Sequence, residues 1–507
     1  MMRIPLPLFI AIPLVMAFLL PVFSGLGRKG KAVATVLANM TTISLLVLAV
    51  ACIGQSGIYK IGKWPIPLGI NLVLDGLSSL MLLAIGVVSS AAMLFSARYM
   101  EQYTAKAKYF CLFLLMVAGM NGVVLSGDIF NLFVFLEIAS LASYALVGFG
   151  CEHEELEASF KYMVLGSIGS LFVLFAVALV YGNTGSLNMA AISDTIKNSG
   201  VNAGLAFALC LFIAGFGLKA ALVPFHAWLP DAHPSAPAPI SAMLSGILIK
   251  ALGIYALTRM VFNVFGVSIQ IGWVLVVLGM LSMIAGAFLA IGQWDFKRLL
   301  AYSSISQIGY VVLGIGLGCT LLARGEIAYA SLAILGAVFH LVNHAVYKSL
   351  LFLTSGSVQM STGTRQMREM GGLAEKMPVT RATCTVASAS IAGVPPFSGF
   401  WSKLILVIAA VQAEFYWVAA IIVFVSLCTL IMYLKVQRYV FLGELPENLQ
   451  QVEENKGSML VAMVFLACLC VLMGLLVIVP SLKASILEPA VNALTDGLGY
   501  SAKILSM

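Results

Sequence analysis

Runs of about twenty apolar residues recur along the whole chain, separated by short polar stretches, and each is long enough to cross a bilayer as a helix. Hydropathy predicts about fourteen such spans. They lie near residues 4–25, 32–55, 72–97, 108–126, 129–150, 160–182, 202–223, 236–262, 268–291, 299–320, 326–355, 380–410, 415–442 and 458–480. No long polar region is left over for a separate soluble domain. The pattern therefore predicts an all-α polytopic membrane protein. The first run, Ile4–Leu26, is interrupted by Pro5, Pro7, Pro13 and Pro21 and carries no small-residue cleavage site. It is read as a spanning helix and not as a removed signal peptide.

Composition agrees. Of the 507 residues 61% are hydrophobic and 10% charged, against about 25% charged in an ordinary soluble domain. The mean hydropathy is +1.04. Nine cysteines are scattered, and the close pair Cys468 and Cys470 has no histidine near it. No zinc or iron–sulfur spacing is present, so the chain is expected to hold no cofactor, metal or redox centre of its own. The net charge of +7 suits basic loops beside a membrane. Nothing reads as a nucleic-acid patch.

Loop charges predict the orientation. One loop set carries Arg28, Lys29, Lys31, Arg98, Lys106, Lys108, Lys161, Lys297, Arg298, Arg365, Arg368, Lys376, Arg381, Lys435, Arg438 and Lys456. The other carries Arg3, Lys60, Lys63, Lys197, Arg259, Arg324, Lys483 and Lys503. The richer set is expected to be cytoplasmic, which places both termini outside the cytoplasmic (inner) membrane. Four lysines then remain inside spans: Lys219, Lys250, Lys348 and Lys403.

Two segments share an unusual design. Leu218–Trp228 and Ala392–Lys403 each combine a lysine, a proline break and flanking aromatics. Proline removes a backbone donor and clashes with the preceding turn. Freed carbonyls are tolerated at membrane depth only where protein or water satisfies them. Paired interruptions in two halves of a transporter point to its binding sites. We expect two five-helix repeats, residues 108–262 and 268–442, with discontinuous helices 7 and 12. Five is odd, so the repeats are inverted. A three-helix segment, 1–107, precedes them, and the last helix with a short tail, 443–507, follows.

The intramembrane charges carry the candidate chemistry. Lys219 stands inside the apolar stretch Leu211–Val223, and Glu137 inside Phe130–Gly150. They are natural partners, and opening such a pair leaves the lysine without its counter-charge, readier to give up a proton. The competing reading is an ion pair that only locks two helices, or lysines that snorkel. His340, His344 and Lys348 fall at i, i+4 and i+8, which turns about 80° round a helix and climbs about 12 Å. That stripe suits a proton relay. Zinc binding lacks a third ligand and the metalloprotease glutamate. Lys250, again mid-span, connects the first lysine to the stripe. Asp75 is balanced between a helix-start role and function, and Asp128 reads as a cap. His226, Asp231 and His233 follow the first break and read as wet loop residues or as an approach for ions.

These residues carry a family resemblance. Asp128-Ile-Phe-Asn-Leu-Phe-Val-Phe-Leu-Glu137, Lys219 with Pro224-Phe-His-Ala-Trp-Leu-Pro-Asp-Ala-His-Pro-Ser-Ala-Pro-Ala-Pro239, Lys250, His340-Leu-Val-Asn-His344-Ala-Val-Tyr-Lys348 and Gly393-Val-Pro-Pro-Phe with Lys403 resemble the antiporter-like subunits of respiratory complex I, Mrp cation/proton antiporters and membrane-bound hydrogenases. The resemblance runs over nearly the whole chain. It implies fourteen helices, inverted five-helix repeats and broken helices 7 and 12. It also implies a proton path through Glu137 and Lys219, then Lys250, His340, His344 and Lys348, with Lys403 as the exit. Within the family the chain looks most like the D-type subunit of Mrp antiporters and its hydrogenase equivalents. Lysine at 403 argues against the complex I subunit with an acid there, the short tail against the largest subunits, and Asp231–Pro239 looks closer to the hydrogenase relatives.

The expected function is proton, or cation/proton, translocation as one subunit of a multi-subunit membrane complex driven by a hydrogenase or oxidoreductase module. The alternative is a D-type subunit of a multi-subunit Na⁺/H⁺ antiporter without redox coupling. The chain itself is expected to do no redox or hydrolytic chemistry and to have no catalytic residues. Expected partners are other membrane subunits, peripheral iron–sulfur or redox subunits and lipid, and no nucleic acid. A self-sufficient antiporter and a purely structural subunit are the competing readings.

Overall fold

The computed structural model describes residues 5–25 and 27–506, the side chain of Arg28 excepted. Arg3, Ile4, Leu26 and the Arg28 side chain lie outside the described residues. The helices are α1 Leu8–Ser24, α2 Gly27–Ala51, α3 Gly76–Tyr99, α4 Lys106–Leu125, α5 Ile129–Val147, α6 His153–Thr184, α7 Met189–Ser199, α8 Ala203–Lys219 and α9 Leu229–Ser235, then α10 Ala238–Val264, α11 Ile269–Ile291, α12 Phe296–Ala323 and α13 Ile327–Thr362, α14 Pro378–Ala392 and α15 Ser398–Gln412, α16 Tyr416–Phe441 and α17 Ser458–Ile478, and α18 Glu488–Thr495 and α19 Gly499–Leu505. Among the described residues eleven helices are long and apolar enough to cross a bilayer, and α1, α8 and α15 are shorter apolar helices.

The structure differs from the hydropathy reading at a hairpin, at α7 and at the two terminal helices. Residues 72–74, expected to open a span, instead form part of a hairpin, β1 Gly57–Lys60 paired antiparallel with β2 Asn71–Leu74. The helix starts only after Asp75, whose side chain accepts from the Ser78 nitrogen at 2.9 Å in a capping box. A cap satisfies the orphan donors of a first turn, and this one fixes where α3 begins. The short amphipathic helix α7 and the terminal helices α18 and α19 are too polar for a hydropathy window to register.

Helices α10, α12 and α13 form the interior, and every residue of the most apolar stretch of α10 is buried. The peripheral helices α1, α2, α6, α11 and α16 expose Phe18, Val36, Phe175, Phe288 and Leu427, as lipid-facing surfaces require. Helices α11 and α12 close through glycines at a spacing of seven. A Cβ at Gly279 would stand 2.5 Å from the Leu313 nitrogen, and one at Gly286 2.5 Å from the Ser306 nitrogen. Small residues let backbones approach where apolar burial gives no preference for helix over lipid.

The helix ends gather in two groups that follow the two loop sets. At one end Asp231 meets Lys161 at 3.1 Å and Arg298 at 3.3 Å, and Arg365 bridges Glu154 at 2.9 Å and Asp295 at 3.3 Å. These groups line a cavity of about 680 Å³. At the other end Asn188 donates to the Asn71 side chain at 2.7 Å, and Asn263 to the Ala493 carbonyl at 2.9 Å. Helix α10 runs between the two ends. It contains three π-helical stretches, Leu244–Leu248, Lys250–Tyr255 and Met260–Val264.

Candidate ion path

The site starts where α8 stops. Asn202 caps its first turn, accepting from the Leu205 nitrogen at 2.9 Å. Lys219 is its last residue; Ala221 turns left-handed (φ 56°) and Pro224 offers no donor. The loosened backbone is taken up by neighbours: the Trp228 indole donates to the Leu218 carbonyl at 3.0 Å, and the Val223 nitrogen to Ser282 Oγ at 3.0 Å. Trp228 stacks on Tyr162 at 4.2 Å.

On α5, which Asp128 caps by accepting from the Asn131 nitrogen at 2.8 Å, Glu137 lies two turns in. Lys219 Nζ sits 3.8 Å from Glu137 Oε1. The amine donates to Ser140 Oγ at 2.9 Å and Tyr144 OH at 3.1 Å, and Ser170 donates to the carboxylate. The lysine side chain is 3% exposed, the glutamate 28%.

Lys250 lies near the middle of α10. Its Nζ donates to the Ser245 carbonyl at 2.6 Å. That carbonyl lies within the first π stretch, whose wider turn changes the backbone bonding pattern. Ser245 Oγ pairs with Ser304 Oγ at 2.7 Å, and Ser304 donates to the Leu300 carbonyl at 2.9 Å. Lys348 donates to the same carbonyl at 2.6 Å, to Ser303, and to Tyr433 OH at 3.3 Å. A hydrogen-bonded thread therefore joins the neighbourhoods of Lys250 and Lys348.

His340, His344 and Lys348 are all fully buried on α13. His344 has neither ring nitrogen bonded to a protein group among the described residues. Its ring meets Tyr347 edge-on at 5.5 Å. His340 Nδ1 is 2.9 Å from Ser402 Oγ and its Nε2 3.4 Å from Tyr347 OH.

The second break repeats the first in outline. Helix α14 ends at Gly393 (φ 81°), Pro395 and Pro396 follow, and α15 resumes at Ser398. Lys403 Nζ reaches back to the Ile391 carbonyl at 2.8 Å and the Ala392 carbonyl at 3.4 Å, and lies 5.1 Å over the Tyr310 ring. The same ring stands 5.2 Å from His340. Asn343 donates to the Ser398 carbonyl at 3.0 Å and ties the stripe to the break. No hydrogen bond joins Lys219 to Lys250 among the described residues; their helices meet instead where Gly253 packs on Ala220.

Three residues stand elsewhere than the sequence reading placed them. His233, read as a wet loop residue or part of an approach for ions, is fully buried with both ring nitrogens unbonded to protein among the described residues. Pro234 and the helical turn of α9 carry it inward, against Phe352. Lys297, counted as a loop cation, is 2% exposed and donates to the Ala236 carbonyl at 2.9 Å. Arg259, also counted with the loops, is buried and paired with Asp75 at 2.5 Å. Each sits near a span end, where hydropathy does not separate a solvated charge from one turned inward. Among the described residues no group of three His, Cys, Asp or Glu is placed to hold a metal ion.

A helical interior that holds eight buried amines and imidazoles around two interrupted helices defines a multi-pass membrane protein of the ion-translocating class. The family is specific. A family model described as "NADH:quinone oxidoreductase/Mrp antiporter, TM" matches residues 126–429, and one described as "NADH-Ubiquinone oxidoreductase (complex I), chain 5 N-terminus" matches residues 60–110. The chain belongs to the NADH:quinone oxidoreductase/Mrp antiporter family of antiporter-like membrane subunits. It is 32% identical to the D-type subunit of the Na⁺/H⁺ antiporter of Alkalihalophilus pseudofirmus, over 92% of this chain and 93% of that one. It is 34% identical to the N-type subunit of the NADH-quinone oxidoreductase of Desulforudis audaxviator, over 93% and 94%. Its fold matches a chain in the structure of the membrane-bound sulfane sulfur reductase, an archaeal respiratory membrane complex, with a TM-score of 0.88 and 32% identity over 99% of both chains.

Proposed function

We propose that the chain translocates protons as one subunit of a multi-subunit complex in the cytoplasmic membrane, driven by a redox module elsewhere in that complex. Protons load Lys219 from the cytoplasmic side, pass by Lys250 and along the stripe Lys348, His344 and His340, and leave through Lys403. The driving event reaches the chain as a change in the Glu137–Lys219 pair. The observation that carries this reading is the break at Lys219, where a buried amine faces a carboxylate 3.8 Å away with two other acceptors in reach. The exposed flank of α5 at Phe130 and Leu141 suits a neighbouring membrane subunit, which would cover Glu137 and act on the pair. The redox partners are iron–sulfur or other redox subunits. Fourteen spans, inverted repeats at 108–262 and 268–442, flanking segments 1–107 and 443–507, and both termini outside complete this reading.

A second reading keeps the path and changes the driver: a D-type subunit that exchanges Na⁺ for H⁺ without redox coupling. The near full-length similarity to the D-type subunit of an antiporter favours it. Purifying the intact assembly separates the two, since iron–sulfur subunits alongside mean redox coupling. Lys219→Ala tests what both share. The variant is expected to assemble and to lose proton transport in everted membrane vesicles; transport at the unaltered rate rejects the path.

A further inference from the structure

Apart from Glu137–Lys219, one ion pair among the described residues contains a buried cation. Arg259 Nη2 and Asp75 Oδ1 are 2.5 Å apart, with the arginine side chain 6% and the aspartate 20% exposed. The asymmetry repeats that of the first pair: the carboxylate faces outward and the cation inward. We propose that Asp75 is a proton-binding site at a second aqueous access to the interior, and that Arg259 transmits its charge state to Lys250. This rests on the proton path proposed above.

The carboxylate lies against a recess. A cavity of about 380 Å³ is lined by Asp75, Gly57, Asn492, Asp496, Tyr500 and Lys503, between the β-hairpin and the terminal helices α18 and α19. At roughly 30 Å³ per water this has room for about a dozen. Its other charges, Lys503 and Asp496, pair with each other at 2.5 Å, so Asp75 depends on Arg259 alone for a counter-ion. Lys161, Arg298 and Arg365 belong to the opposite end of the helices. The recess and the 680 Å³ cavity therefore approach the interior from two sides.

Arg259 is anchored independently of Asp75. Its Nε donates to Tyr255 OH at 3.0 Å and its Nη1 to Asn263 Oδ1 at 3.1 Å, and its guanidinium lies 5.1 Å over the Tyr255 ring and 5.9 Å over the Tyr500 ring. Tyr255 is held in turn by the Val124 carbonyl at 2.6 Å, and Asn263 by Ala493 and Gly497. Arginine does not give up its proton in proteins. A proton from the recess that binds Asp75 thus neutralises the carboxylate and leaves a fixed positive charge in place. Lys250 is nine residues back on the same helix, about 13 Å along its axis. In an interior of low dielectric an unmasked charge acts over such a separation more strongly than it would in water. Capping alone does not account for the pair, since asparagine caps a helix as well as aspartate and needs no cation.

Two measurements test this on the intact assembly. A water-soluble carbodiimide with a small amine nucleophile, added to unaltered membranes from the recess side, is expected to modify Asp75, and faster during turnover. Peptide mapping that finds Asp496 modified and Asp75 untouched overturns the proposal. Asp75→Asn keeps the cap and is expected to cut driven proton transport about tenfold or more with the amount of assembly unchanged. Where its unpaired arginine prevents assembly, Asp75→Asn/Arg259→Gln removes both charges and is expected to leak protons passively. Unaltered, tightly coupled transport in either variant overturns the proposal. If Lys219→Ala transports normally, the path itself fails; if Lys219→Ala is inactive and Asp75→Asn is not, only the second access fails.

Discussion

Glu137 and Lys219 approach to 3.8 Å without sharing a hydrogen bond, because each is held by other groups. Ser170 serves the carboxylate, while Ser140 and Tyr144 serve the amine. A direct pair would bind its own charge tightly; this one gives the amine a place to stay when the carboxylate is drawn away.

Removing that place has a direct consequence. The double variant Ser140→Ala/Tyr144→Phe leaves Lys219 with Glu137 alone and is expected to slow proton transport by about an order of magnitude, with each single change smaller. A hydrogen bond to a charged group contributes about 1.5–3 kcal/mol, enough for that effect. The rate of ΔpH formation in everted vesicles checks it, and an unchanged double variant argues that these acceptors are bystanders.

His344 contributes no hydrogen bond to any protein group among the described residues, so its contribution to packing rests on its shape. His344→Phe preserves an aromatic ring against Tyr347 and is expected to assemble normally while losing more than about tenfold in transport. A relay needs a titratable ring at this point. Full activity with phenylalanine in place removes His344 from the path.

Ser304 links Ser245 beside Lys250 to the Leu300 carbonyl that Lys348 uses. Ser304→Ala is expected to cost about 1 kcal/mol of stability, the ordinary value of one buried hydrogen bond, and to slow transport several-fold. Comparing thermal unfolding with transport in one preparation separates the two effects. A loss of stability with no loss of rate assigns the thread to packing.

Gly253 permits the contact between α10 and the residue after Lys219. A Cβ there would fall 2.6 Å from Ala220 Cβ and 2.7 Å from its nitrogen. Gly253→Ala is expected to destabilise the chain by about 1–3 kcal/mol, the usual range for overpacking, and to lower the yield of assembled complex. Normal yield and melting temperature would show that the two helices separate freely.

Much of this was legible in the sequence because lipid imposes simple rules. Apolar runs had to become helices, and a lysine beside a proline break had to find acceptors. The pairing of Glu137 with Lys219 followed from there being a single carboxylate in that span to meet the amine. Arg259 and Asp75 were not legible together. They are far apart in the chain, and each lies near a span end, where a charge ordinarily reaches water. Lys297 and His233 were hidden for the same reason: only the inward fold of α9 shows that they are enclosed. The hairpin is hidden because β2 runs straight on into the apolar α3, and α7 because its apolar residues are too few for a hydropathy window. The serine thread escaped because hydroxyl side chains inside a membrane helix have no sequence signal of their own.

The seat of Lys403 differs from that of Lys219 in what it is made of. Its acceptors are the Ile391 and Ala392 carbonyls at the end of α14, and among the described residues no carboxylate lies within ion-pair reach of it. A side-chain acid can swing aside and let its guest go, but main-chain oxygens are fixed by the course of the polypeptide itself. If Lys403 is the exit proposed above, discharge there would need an incoming positive charge or a shift of the broken helix. On the proposed path the first lysine would answer to a movable counterweight and the second to a rigid cradle.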